Sequence, residues 1–209
     1  DLQARAAIGQ AALMRLYGEL FRKVGLKCAQ VLLTWDDFDN RTRFTNARHT
    51  LEAILKQGVV PIINENDTTS TEEIKFGDND KLSALVASCL HADLLILLSD
   101  VDGVYDQDKK FLIGEYDEIT PAIQKVSMGT ANLQVARGGM KAKIDAVKIS
   151  TEAGTPCVIT AGSIDNVLLR LIAEDLSGER IGTYFIQKKH QLLDGDSQHE
   201  FIRLHLKNR

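Results

Sequence analysis

Apolar residues recur at helical spacing near the start of the chain, where Ile8, Ala12, Leu13, Leu16, Leu20 and Phe21 predict an amphipathic helix over residues 4–23. Gly25 falls where a left-handed cap would close it. A short apolar run over 28–33 predicts a strand, and helical spacing returns over roughly 41–56 before stopping at Gly58. Residues 59–63 read as the next strand, in which Pro61 marks an edge or a strand start. A polar stretch over 64–77 separates that strand from a helix beginning near Asp80. Residues 94–98 are continuously apolar between Asp93 and Ser99, the pattern of a strand covered on both faces. A long helix over about 139–153 ends at Gly154. A strand over 157–160, a helix over 167–172 and a closing strand over 183–186 follow.

Strand and helix alternate throughout, with connections long enough for right-handed βαβ crossovers, so the pattern predicts an α/β protein with a mostly parallel sheet and helices on both faces. From Gln187 the pattern loosens, and 187–209 is expected to be a tail or linker. Domains of this class usually open on a strand and a glycine-rich phosphate loop. These residues open on a helix, so a first βα unit is expected to be missing from them.

Composition narrows the class of function. The 209 residues are 44% hydrophobic and 26% charged, ordinary proportions for a globular protein. A chain of this length can bury about 70% of its unfolded surface, enough for one domain with a real core. Lys plus Arg is 25 against 29 Asp plus Glu, a net charge of −4 that argues against sequence-independent nucleic-acid binding. The longest apolar run is far short of the ~18 residues of a membrane span, and no signal peptide is expected ahead of the first helix. Cys28, Cys89 and Cys157 are odd in number and far apart, which excludes a disulfide framework or a C-x-x-C metal pair. They read as small buried hydrophobes in a reducing cytoplasm. The expectation is a soluble cytoplasmic domain that acts on a small molecule, without a nucleic-acid or membrane partner.

In parallel α/β sheets, ligands bind beyond the carboxyl ends of the strands. Asn64-Glu65-Asn66-Asp67 follows one predicted strand, and Ser99-Asp100-Val101-Asp102-Gly103 follows another. Gly77-Asp78-Asn79-Asp80 stands at the entrance to a helix. Each cluster taken alone also suits a plain turn or an N-cap; three at ligand-facing ends favour a site. Arg137-Gly138-Gly139-Met140-Lys141-Ala142-Lys143 opens another helix, where glycine backbone amides, the helix dipole and two lysines suit a phosphate. It is not a Walker A loop, and a solvated helix start would have the same composition. The five histidines (His49, His91, His190, His199 and His205) lack metal-ligand spacing and read as surface or capping residues.

Taken in order, these segments resemble the amino acid kinase family. The resemblance is carried by Pro61-Ile62-Ile63-Asn64-Glu65-Asn66-Asp67, by Glu73-Ile74-Lys75-Phe76-Gly77-Asp78-Asn79-Asp80 and by Leu97-Leu98-Ser99-Asp100-Val101-Asp102-Gly103-Val104-Tyr105. Gly138-Gly139-Met140-Lys141-Ala142-Lys143 and Gly182-Thr183-Tyr184-Phe185 complete it. It covers roughly residues 3–186, and the run over 64–80 is specific to the branch that phosphorylates glutamate. The resemblance implies an eight-stranded, mostly parallel three-layer α/β/α sandwich, with a kinase domain over 1–186 that is N-terminally incomplete. It implies ATP and Mg²⁺ as cofactors, and transfer of a phosphoryl group to the side-chain carboxylate of L-glutamate as the first step of proline synthesis. It places glutamate at Asp67 and Asn79, and ATP at Ser99, Asp100, Arg137, Gly138, Gly139, Met140, Lys141, Ala142 and Lys143. Lys143 would reach the transferred group, and Asp80 would orient catalytic groups.

A homo-oligomer, and coupling to a reductase that consumes the acyl phosphate, are further implications. Arg137 and Ala142 depart from the threonines usual in the family, and both bear on nucleotide affinity. The family's first βα unit, with a phosphate-contacting lysine and glycines and a serine that helps hold glutamate, has no counterpart in these residues. Three alternatives share the scaffold: a sibling kinase with another acceptor, the kinase half of a bifunctional pyrroline-5-carboxylate synthase, and a non-catalytic amino-acid sensor.

Overall fold

The computed structural model describes residues 2–70, 79–105, 114–116, 139–173, 181–186 and 195–207. In chain order the elements are α1 (Leu2–Lys23), β1 (Lys27–Leu33), α2 (Trp35–Asp39), α3 (Arg41–Lys56), β2 (Val59–Glu65) and α4 (Asn79–Leu90). β3 (Leu95–Ser99), β4 (Gly114–Tyr116), α5 (Gly139–Glu152), β5 (Cys157–Ala161), α6 (Val167–Ile172), β6 (Thr183–Phe185) and α7 (Gly195–Lys207) follow. Where one domain is expected from the sequence, the chain forms two compact units, Asp1–Leu82 with Gly195–Arg209, and Ser83–Asp194.

In the first unit α1 closes at Gly25, whose φ of +74° is the left-handed cap the sequence predicts. β1 and β2 pair in parallel from Lys27 opposite Val59 to Leu33 opposite Glu65, with α3 as the crossover. Pro61 stands opposite Ala29 within that ladder, and among the described residues β2 pairs with β1 alone. The short helix α2, which hydrophobic spacing does not announce, is held at its start by Asp37. Its carboxylate accepts from the Thr34 backbone N–H at 2.6 Å and the Thr34 hydroxyl at 2.9 Å. Arg43 Nη2 lies 2.8 Å from the other oxygen of that carboxylate. Trp35 and Phe38 of α2 are buried with Leu33, Phe44 and Leu51.

Residues 195–207 differ from the expected tail: they form α7, with Ile202, Gln198 and His199 buried. Gln198 Oε1 accepts from Arg48 Nη1 at 3.3 Å, the His199 ring lies 5.1 Å from that of Phe44, and His199 Nε2 is 3.2 Å from the Asp39 carbonyl oxygen. His199 is thus interior rather than a surface residue. The polar letters of α7 hide this role because its buried face is itself partly polar.

In the second unit the strand order is β3-β5-β6-β4. β3 runs parallel to β5, β4 runs parallel to β6, and β5 and β6 are antiparallel. Every residue of β5 is buried, as a central strand requires. Against it α5 buries Ile144, Val147 and Ile149. Gly154 (φ +91°) ends α5, and Ser150 Oγ donates to the Thr155 carbonyl at 2.9 Å, fixing the turn into β5. Cys89 and Cys157 are buried, Cys28 is half-buried, and all three are unbridged.

β3 departs from the expected strand covered on both faces. Leu95 and Leu97 are buried and Ile96 packs on a cluster of Val158, Val167 and Leu171, yet Leu98 is 47% exposed. The helix that supplies Val167 and Leu171 has only six residues. At about 1.5 Å per residue it is too short to run the length of the strand.

Gly182 is the most closely surrounded of the glycines described in this unit. Its φ is +85°, and a Cβ there would stand 2.6 Å from the Ile159 carbonyl oxygen. Any side chain would therefore meet backbone in a conformation that L-residues avoid. Gly182→Ala is expected to destabilise the protein by about 2–3 kcal/mol. The check is the shift in melting temperature, with Gly139→Ala, where nothing lies within 4 Å of the added carbon, as the near-neutral control.

Candidate functional site

The first unit carries a pocket of about 430 Å³ at the carboxyl end of its two-stranded sheet, within the ~300–1,000 Å³ usual for small-molecule sites. Its wall includes Ala6, Gly9 and Gln10 of α1, together with Leu32, Asn64 and Asp67. The small residues of α1 leave the space; the chain leaving β2 supplies the polar groups. Asn66 N–H donates to the Leu33 carbonyl at 2.8 Å, and its own carbonyl accepts from the backbone N–H groups of Thr69 and Ser70 at 3.0 Å each. Those bonds turn the chain so that Asp67 lines the pocket. Ser70 Oγ donates to Glu65 Oε1 at 3.0 Å, giving the buried Glu65 carboxylate a buried partner. Asn79, the first residue of α4, is exposed, and its Nδ2 donates to Asn64 Oδ1 at 3.0 Å. Asp80 is half-buried in the first turn of α4, where a carboxylate also complements the helix dipole.

The second unit carries the other predicted residues. Ser99 ends β3, and its hydroxyl donates to Asp100 Oδ1 at 3.1 Å. The following loop is tied down by Val104 N–H donating to the hydroxyl of the fully buried Thr183 at 2.9 Å. The motif residues 99–105 and 182–185, far apart in sequence, thus meet in one structure. α5 starts at Gly139, with Lys141 exposed and Met140, Ala142 and Lys143 half-buried. No acidic residue occupies its first turn, and the Cα of Gly139 faces open space. Because α5 turns back at Gly154 into β5, its amino end points toward the carboxyl ends of β5 and β3, the end at which Ser99 lies. Arg137 and Gly138 lie outside the described residues, as does the stretch 71–78.

Each group of predicted residues lies within its own unit: Asp67, Asn79 and Asp80 in the first, Ser99, Asp100 and 139–143 in the second. Hydrophobic periodicity and motif spacing do not single out Gln10 and Gln30, whose amides join the pocket wall from α1 and β1. Among the described residues no helix is long and apolar enough to cross a membrane.

The sequence profile described as the amino acid kinase family matches residues 2–161. The chain belongs to the amino acid kinase family. It is 46% identical over 195 residues to a Glutamate 5-kinase of Caldanaerobacter subterraneus subsp. tengcongensis, covering 91% of this chain and 51% of that protein. It is 48% identical over 194 residues to the Glutamate 5-kinase of Carboxydothermus hydrogenoformans, covering 90% and 50%. The Glutamate 5-kinase of Pseudomonas syringae pv. tomato is 42% identical over 214 residues, covering 100% and 55%. The chain thus spans about half the length of the curated relatives it matches. Among solved structures it resembles Giardia carbamate kinase, with a TM-score of 0.59 at 20% identity over 90% of this chain and 74% of that one. A second carbamate kinase structure, from Giardia lamblia bound to AMP-PNP, gives 0.60 at 18% identity over 90% and 73%. The likeness establishes the fold.

Tyr105 is the ionisable group of the site loop with a clear shift. Its hydroxyl donates to Asp102 Oδ1 at 2.5 Å, and that bond, then desolvation and the carboxylate's charge, raise its pKa above the usual 10. The folded phenol keeps its proton where an unfolded one would lose it. The resulting stabilisation is present below pH 10 and is lost as pH rises through the folded value. Ultraviolet titration of the wild type minus Tyr105→Phe is expected to show Tyr105 ionising above pH 10, and Asp102→Asn is expected to bring it back.

Proposed function

We propose that this protein transfers the γ-phosphoryl group of ATP to the side-chain carboxylate of L-glutamate, giving glutamyl 5-phosphate and ADP. The observation that carries the reading is the pocket beside β2, lined by Asp67 and Asn64, with the Asn79 amide bonded to Asn64, an arrangement suited to an amino acid bearing one cation and two carboxylates. Relatives named Glutamate 5-kinase at 42–48% identity support it. The AMP-PNP of the Giardia lamblia carbamate kinase supports a nucleotide as phosphoryl donor in this fold.

The chemistry asks little of a base. A carboxylate of pKa ~4.3 is already ionised at neutral pH, so the nucleophile needs no proton removed. The protein must instead place two anions and stabilise charge spreading over the transferring group. In this reading the Asp67 carboxylate receives the substrate ammonium, and an N–H of Asn79 donates to a substrate carboxylate oxygen. Lys143 and the Gly139 backbone amide meet the phosphoryl oxygens, Ser99 and Asp100 take part in nucleotide binding, and Asp80 orients catalytic groups by a charge-assisted hydrogen bond. Among the described residues no three Asp, Glu, His or Cys side chains converge on a metal site. Mg²⁺ would come with the nucleotide as part of the substrate and supply charge neutralisation there. The acyl phosphate product is a reactive mixed anhydride, which suits immediate consumption by a reductase.

Glutamate-dependent ADP release by the intact protein, with hydroxylamine trapping the acyl phosphate, tests the reading; ligand binding without turnover would point to a sensor. Asp67→Asn is expected to raise the glutamate KM about ten- to hundredfold while leaving that of ATP in place. Lys143→Met is expected to lower kcat by about 10²–10³ with little change in glutamate KM. Steady-state kinetics separates the two effects, and an unchanged kcat in Lys143→Met removes that residue from the transfer step.

A further inference from the structure

We infer that Gln10 on α1 is a positioning residue for the acceptor substrate, acting through Asn64 to hold the Asn79 amide in its orientation. The inference rests on the reading that Asn79 holds the glutamate carboxylate. Four amide side chains from four elements form one chain of hydrogen bonds. Gln10 Nε2 donates to Gln30 Oε1 at 3.3 Å, Asn64 Nδ2 donates to Gln10 Oε1 at 3.0 Å, and Asn79 Nδ2 donates to Asn64 Oδ1 at 3.0 Å. Every bond points the same way, from the amino group of one amide to the carbonyl of the next, so each polarises its neighbour.

The direction of this chain is set by the backbone. A primary amide turned by 180° has nearly the same shape but exchanges donor for acceptor, so its partners decide which face it shows. The Glu65 backbone N–H can only donate, and it donates to Asn64 Oδ1 at 2.9 Å. Asn64 must then turn its amino group toward α1, where Gln10 supplies the acceptor. Asn79 in turn meets a carbonyl oxygen and must present an N–H to it. That fixes the plane and polarity of the Asn79 amide and leaves its second N–H for a substrate oxygen.

Packing does not account for Gln10. No residue of α1 is buried, and the residues around Gln10 on the pocket wall are Ala6, Ala7, Gly9 and Ala11. α1 reaches the end of β2 and the loop after it through amides, since Gln10 meets Asn64 and Gln3 Nε2 approaches the Ser70 carbonyl at 3.5 Å. Without the Gln10 carbonyl the Asn64 amino group loses its acceptor in a half-buried place and is drawn toward water instead.

The test is a kinetic double-mutant cycle in the intact enzyme. Gln10→Met is expected to raise the glutamate KM about three- to tenfold, with the ATP KM unchanged and kcat affected less than KM. Gln10→Ala, accompanied by a thermal melt to confirm folding, is expected to match it. In an Asn64→Ala background, Gln10→Met is expected to add nothing, because the relay is already cut. Equal effects of Gln10→Met in both backgrounds, or a parallel rise in the ATP KM, would assign it a general structural role and overturn the inference. An active wild type with unchanged glutamate KM in both Gln10 variants would also overturn it, alone. A wild type with no glutamate-dependent ADP release overturns the proposed function, and this inference with it.

Discussion

The parallel ladder between β1 and β2 is the constraint on which the first unit's site depends. It ends with Leu33 opposite Glu65, and the Leu33 carbonyl then takes the Asn66 N–H at 2.8 Å. This last bond extends the ladder one step and hands the chain to a turn closed by the Asn66 carbonyl. Because the strands are parallel, both leave the sheet at the same end, so the Thr34–Asp37 cap and the 64–67 loop share it. An antiparallel pair would send one of these segments to the opposite end, and Asn64 would lose its partners from α1 and α4.

The second unit reaches a comparable result by close packing of backbone. β5 is buried along its length, and β6 lies against it so closely that position 182 admits no side chain. The same approach brings the Thr183 hydroxyl to the Val104 N–H, which fixes the far end of the loop leaving β3. The glycine–threonine pair thus serves the loop at 99–105 from the opposite side of the sequence. Its contribution is geometric: it holds backbone in place.

The two units use different physical means to present polar groups. The first relies on amides and carboxylates that satisfy one another: Glu65 with Ser70, and Asn64 with Gln10 and Asn79. Such a network has directional requirements, and each member narrows the orientation of the next. The second places lysines in the opening turn of α5, a helix start without acidic residues, where the helix dipole and the lysine charges share one sign. An amino acid, with groups of both signs at set separations, would suit the first kind of surface; a polyphosphate, dense in one charge, the second.

The sequence by itself determined the α/β class, most element positions and the residues of the polar clusters. Helical spacing, the glycine stops at 25, 58 and 154, and short apolar runs are local signals, and local backbone preference suffices to read them. Tertiary structure decided what periodicity does not encode. α2 forms because Asp37 caps it and Trp35 and Phe38 find a core; α7 forms a buried face from Gln198, His199 and Ile202, although its letters read as a polar tail. Leu98 is exposed at the end of an apolar run because the covering helix is short. The amide relay was invisible for a related reason: Gln10, Gln30, Asn64 and Asn79 lie up to 54 positions from their hydrogen-bond partners. Hydrogen-bond direction between side chains depends on which strands and helices meet, and only the folded chain fixes that.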